Sequence, residues 1–167
     1  MRRGNTHRAR FRLSIERNIR MNKDFRDKSI SELEGWIWKD PVPSPEDSSG
    51  TVYRFYRLHR TPIKDLEAAD LRFLIGQNST LKYLVPMAMD QLRKDPFIET
   101  EYYPGDLLCA LFQINNEPNY WTSHSDQRDM LVSLYEERVQ RMQMQEMSFG
   151  DMKKIEREYD KFITQRG

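Results

Sequence analysis

Apolar residues in the middle of the chain fall at helical spacing twice. Leu71, Leu74 and Ile75 share one face, and Leu81, Leu84, Val85, Ala88 and Leu92 share another. Residues 76–80 between them break the pattern, so two apolar-faced helices are expected to meet at a corner near the centre of the core. Gly76 suits a left-handed position just past the first helix, and Ser79 or Thr80 suits a cap for the second. Pro86 inside the second pattern predicts a kink, or a break that leaves Leu81 to Val85 as a short lead-in. Leu84, Val85, Met87 and Met89 predict burial on more than one face.

The flanks read in the same way. Ser29 with Glu32, and Ser31 with Glu34, both fit a capping box, which predicts a short helix that turns Ile30, Leu33 and Ile37 inward and stops near Gly35 or Trp38. Asp40 to Gly50 lacks periodicity and is rich in Pro, Ser and acids, as a solvated loop is. Val52, Phe55, Tyr56 and Leu58 predict a helix closed by Thr61 and Pro62. Phe97 to Tyr103 should be extended or turn-like, and Tyr103 to Asp106 a turn whose aspartate caps a helix over Leu107 to Ile114. Pro118 to Ser125 reads as a loop. Met130, Leu131, Leu134, Tyr135 and Val139 then line one helix, and Met152, Ile155, Tyr159, Phe162 and Ile163 a last one that starts at Ser148. The expected fold is all-α: a compact single-domain helical bundle with a kinked central helix and a C-terminal helical hairpin. Residues 1–28 are expected to form a mobile basic arm, 29–124 the helical core and 125–167 the hairpin packed on that core.

At 167 residues the chain is long enough to bury a core without metals or disulfides. Its single cysteine, Cys109, lies between Leu108 and Ala110 and reads as a small buried hydrophobe. With 32% charged residues and no long apolar run, neither a membrane span nor a secretory signal is visible, so a cytoplasmic protein is expected. The net charge of +1 is unevenly spread. Met1 to Lys28 holds ten Lys or Arg against three Asp or Glu, giving +7, and the remainder holds 17 against 23, giving −6. The arm reads either as a phosphate-neutralising segment for nucleic acid or as a tail upstream of a true start at Met21.

Residues suited to catalysis do not gather. His7, His59 and His124 stand far apart, and no glycine-rich phosphate loop is present among seven glycines. No enzyme activity, metal or cofactor is expected. Asp65, Glu67, Asp70 and Asp106 sit at expected helix starts, where capping accounts for them. Met142, Met144 and Met147 read as core or hairpin filler in preference to an adaptable groove. Trp36 and Trp38 beside the acidic loop read as a partner-binding edge or as a cover for the core.

Several blocks in order resemble a known family. They are Leu33 to Trp36 (LEGW) with Trp38 beyond, Arg60 to Pro62, Ala69 to Gln77 (ADLRFLIGQ), Leu81 to Pro86 (LKYLVP), Tyr103 to Leu108 (YPGDLL) and Trp121. Together they resemble the helical immunity proteins of bacterial contact-dependent growth inhibition (CDI) systems, over about Ser29 to Trp121. Ala69 replaces an expected acid, and the arm and hairpin fall outside the pattern. The resemblance implies a cytoplasmic, non-enzymatic protein that binds the toxin domain at the C-terminus of a delivered effector and blocks it. The toxin is then expected to be a nuclease. With the acidic charge, this makes Trp36, Trp38, Asp40, Glu46, Asp47, Glu99 and Glu101 the candidate toxin-binding residues. No small-molecule substrate and no membrane partner are expected; the competing reading is a nucleic-acid-binding helical module that uses the arm.

Overall fold

The computed structural model describes residues 25–38, 41, 43–115, 119–141 and 147–164. The arm up to residue 24, Asp40, Met142 and Met144 lie outside the described residues. Eight α-helices are described: α1 (Ile30–Glu34), α2 (Gly50–His59), α3 (Ala68–Gly76), α4 (Leu81–Lys94), α5 (Asp106–Phe112), α6 (Tyr120–Ser123), α7 (Ser125–Arg141) and α8 (Phe149–Thr164). No strand occurs among the described residues, only isolated bridges at Ser29 with Pro62 and Glu99 with Pro104. The fold is all-α. It divides into two units, one ending at Leu66 and one beginning at Glu67.

In the first unit Ser29 opens α1 through a full capping box: its hydroxyl accepts from Glu32 N, and the Glu32 carboxylate accepts from Ser29 N at 2.7 Å. Gly35 ends the helix in the left-handed conformation, φ +65°. Ile30 is fully buried, but Ile37 lies beyond that end and is 89% exposed, against the inward position expected of it. The left-handed turn takes Ile37 off the helical face that sequence spacing assigned to it. Helix α2 starts at Ser49, whose side chain accepts from Val52 N, and the chain then runs back beside 26–28, with Ile63 N bonded to Lys28 O and Lys64 N to Arg26 O.

The second unit is built around α5. Every residue from Asp106 to Phe112 is buried, as a helix apolar on all sides must be, and α3, α4 and α8 pack against it. The corner between α3 and α4 forms where expected but by other means. Gly76 is the last residue of α3, and the left-handed positions fall on Asn78 (φ +52°) and Thr80 (φ +46°). Asparagine tolerates this region because its short amide bonds locally, and here Asn78 Nδ2 donates to Asn115 Oδ1 at 3.2 Å. Thr80 holds the cap position of α4 without a capping side-chain bond. Pro86 lies inside α4 and does not divide it, so the expected lead-in segment does not separate. The loop expected over Pro118 to Ser125 contains α6 instead, opened by Asn119 Oδ1 accepting from Trp121 N, with Tyr120 and Trp121 buried.

Helices α7 and α8 meet through side chains: Tyr135 and Tyr159 have ring centroids 4.1 Å apart, and Arg128 Nη2 donates to Phe162 O. Ser148 opens α8 by accepting from Asp151 N. Glu158, unnoticed in the sequence, is buried on α8. Burial pushes its carboxyl pKa up, but hydrogen bonds from Lys161, Gln113 and Arg157 outweigh this and leave it below the usual range.

Gly105 and Gly76 make opposite predictions. Gly105 has φ +86°, and a Cβ there would lie 2.6 Å from Ile155 Cδ1 in a buried contact, so Gly105→Ala should lower stability by about 2 kcal/mol. Gly76 is helical with open space around it, so Gly76→Ala should be neutral or stabilise by up to about 1 kcal/mol. Urea unfolding midpoints measure both.

Candidate functional site

In the first unit, the segment after α1 lies along α2 and gathers an aromatic cluster. Trp38 Nε1 donates to Ser31 Oγ at 2.6 Å, and its ring sits 4.5 Å from Tyr56 and edge-on to Trp36. Trp36 stacks on His59 at 5.2 Å, and the Arg60 guanidinium lies 5.4 Å from the Trp38 ring. His59 is wholly buried and donates from Nδ1 to Phe55 O at 2.7 Å, with the Phe55 ring 3.9 Å away. The structure therefore brings the two tryptophans together, with Trp38 anchored and Trp36 still 43% exposed beside Ile37. Glu46 and Asp47 are exposed in the following turn, where Ser44 Oγ donates to Asp47 Oδ2.

In the second unit, the candidate acids Glu99 and Glu101 stand on the loop between α4 and α5, and a residue of the YPGD turn governs that loop. Asp106 was expected to cap its own helix. It is instead the first residue of α5, Gly105 holds the cap position, and the Asp106 carboxylate turns back to the loop. One oxygen accepts from Thr100 N (3.0 Å) and the other from Glu101 N (2.9 Å) and Tyr102 N (3.0 Å), while Thr100 Oγ1 reaches both at 2.8 Å. Asp106 is 3% exposed, and a buried carboxylate needs partners of this kind. The two glutamates differ in what they have left to offer. Glu101 Oε2 accepts from Arg72 Nε and Nη2 at 3.2 and 3.0 Å, which neutralises it in part. Glu99 is exposed and makes no side-chain hydrogen bond or ion pair among the described residues. Sequence reasoning passed over Tyr102, which is 66% exposed on this loop; its only signal was a position between two acids and the turn.

Among the described residues these surfaces present aromatic rings and carboxylates, groups suited to binding. Among the described residues no group of His, Cys, Asp and Glu is arranged to hold a metal. Burial pushes the Cys109 thiol up to about 11, so it stays protonated near neutrality and is a poor nucleophile. Among the described residues no helix is long and apolar enough to cross a membrane.

The family model for CDI immunity proteins matches residues 32–131, more than half of the chain. The chain belongs to the CDI immunity proteins. It is thus an inhibitor that acts by binding a toxin, and not an enzyme. The match begins within α1 and runs past Trp121 into α7, so part of the segment assigned to the C-terminal hairpin lies within the family pattern. No curated protein matches this immunity protein.

His59 gives the first unit a pH dependence. Burial is the larger influence on its pKa and lowers it from the usual 6.5, against the raising effect of the bond to Phe55. The unfolded chain then takes up a proton near pH 6.5 while the folded form resists it until lower pH. The stabilisation is complete above the unfolded value and is lost as pH falls through the folded one. The unfolding free energy should fall as pH drops from about 7.5 to 5.5, and His59→Phe, which has no proton to gain, should flatten that slope. Urea titrations followed by tryptophan fluorescence measure it.

Proposed function

We propose that this immunity protein acts in the cytoplasm, where it neutralises a nuclease toxin domain from the C-terminus of a CDI effector by covering the active site or the surface beside it. Family membership over residues 32–131 is the observation that carries the reading. Charge supports the nuclease assignment. A nuclease presents cations to its phosphate backbone, and the second unit holds 17 Asp or Glu against 12 Lys or Arg, a net −5. An acidic domain is drawn to such a cleft before contact is made, which raises the association rate. The proposed contacts are Trp36, Trp38, Asp40, Glu46 and Asp47 on the first unit and Glu99 and Glu101 on the second. Trp36 supplies apolar area and the acids supply charge.

The cognate CDI toxin domain provides the test. Its purified form should degrade nucleic acid and lose that activity with one equivalent of the immunity protein. The association rate should fall about tenfold or more from low to high salt. Alanine at Asp40, Glu46, Asp47 and Glu99 together should slow association without changing the fold. A salt-independent rate would contradict the electrostatic reading, and a toxin with no nuclease activity would contradict the substrate assignment.

A further inference from the structure

The fold fixes the backbone of one loop and leaves that loop's aromatic side chain outside. The amides of Thr100, Glu101 and Tyr102 all donate to the buried Asp106 carboxylate, and the isolated bridge between Glu99 and Pro104 closes the loop at its base. From α3, Arg72 sets its guanidinium 4.4 Å from the Tyr102 ring centroid while donating to Glu101. The ring is thus oriented, yet 66% of the residue remains open to solvent. Burial does not account for a tyrosine in that state, and the side chain is not mobile padding either, because the cation and three backbone bonds hold its base. Three residues earlier on the same loop, Glu99 keeps a carboxylate with no partner among the described residues.

These features suit recognition. Tyrosine offers large contact area for few rotatable bonds, and a loop that is already ordered spends little of its binding free energy on becoming so. An exposed aromatic ring and an exposed carboxylate on the same ordered loop suit a guanidinium or ammonium group, which can stack on a ring and pair with an acid. The net −5 of the unit around the loop favours a basic partner over an acidic one. We propose that the Glu99 to Tyr102 loop is a preformed docking element for an arginine or lysine side chain on the toxin domain. Tyr102 is its anchor, Glu99 its counter-charge and Asp106 its positioning residue. The inference rests on the reading that this chain binds a toxin.

Calorimetric titration of the full chain with the purified cognate CDI toxin domain separates the two levels. If the wild-type chain does not bind, the toxin-binding reading fails by itself. With wild-type binding established, Tyr102→Ala should weaken affinity about 30-fold or more, as truncation of an anchor does, with an unchanged thermal midpoint. Tyr102→Phe keeps the ring and should stay within about threefold of wild type. Glu99→Gln should weaken affinity about fivefold or more, with a larger effect at low salt. Asp106→Asn should shift the loss into the binding entropy, whereas a merely structural role would lower the thermal midpoint and leave binding by the folded protein unchanged. If that variant does not fold, Thr100→Val, which removes one donor to the same carboxylate, gives the same readout on a smaller scale. Binding by both Tyr102→Ala and Glu99→Gln within twofold of wild type would overturn the proposal.

Discussion

A buried carboxylate at the start of a buried helix is the constraint from which the second unit follows. Every residue of α5 is withdrawn from water, so the Asp106 side chain must find its partners inside the protein. It finds them in the preceding loop, where Thr100, Glu101 and Tyr102 turn their amides toward it. Each such bond joins the Asp106 carboxylate to a backbone donor, and removing that side chain would leave several donors without their partner together. One interaction therefore serves both the core and the surface: it lets α5 sit at the centre of the unit, and it sets the shape of the loop above it. Gly105 completes the arrangement, because its left-handed backbone and missing Cβ let Ile155 of α8 close over the turn.

Much of this was legible in the sequence because local rules and tertiary structure agreed. The apolar spacing on both sides of residues 76–80 gave α3 and α4, and the serine caps at Ser29 and Ser148 and the glycine end at Gly35 gave helix boundaries. Failure came where one local signal fits two geometries. An aspartate just before an apolar run looks the same whether it caps its own helix or clamps the loop behind it, and only burial of the helix decides. Gly76 is free to adopt the left-handed region, but so is Asn78, and the corner used the residue whose amide also reaches Asn115. Ile37 obeyed helical spacing on paper but fell past the Gly35 turn.

The candidate site was legible in its parts and not in their arrangement. Trp36 and Trp38 stood out by type, yet the sequence could not tell that Trp38 would be tied to Ser31 while Trp36 stayed partly open over a buried histidine. Glu101 looked like Glu99 until Arg72, 29 residues earlier, was seen to pair with it. Pairings at that separation leave no periodic trace in a chain.

The central claim is that Asp106 holds the surface loop rigid from within. Amide hydrogen exchange at Thr100, Glu101 and Tyr102 in the free protein measures this directly. Protection comparable to that of the interior amides of α5 is the predicted result, since opening the loop would expose the same carboxylate that the helix buries. Exchange as fast as that of the exposed turn around Glu46 and Asp47 would contradict it.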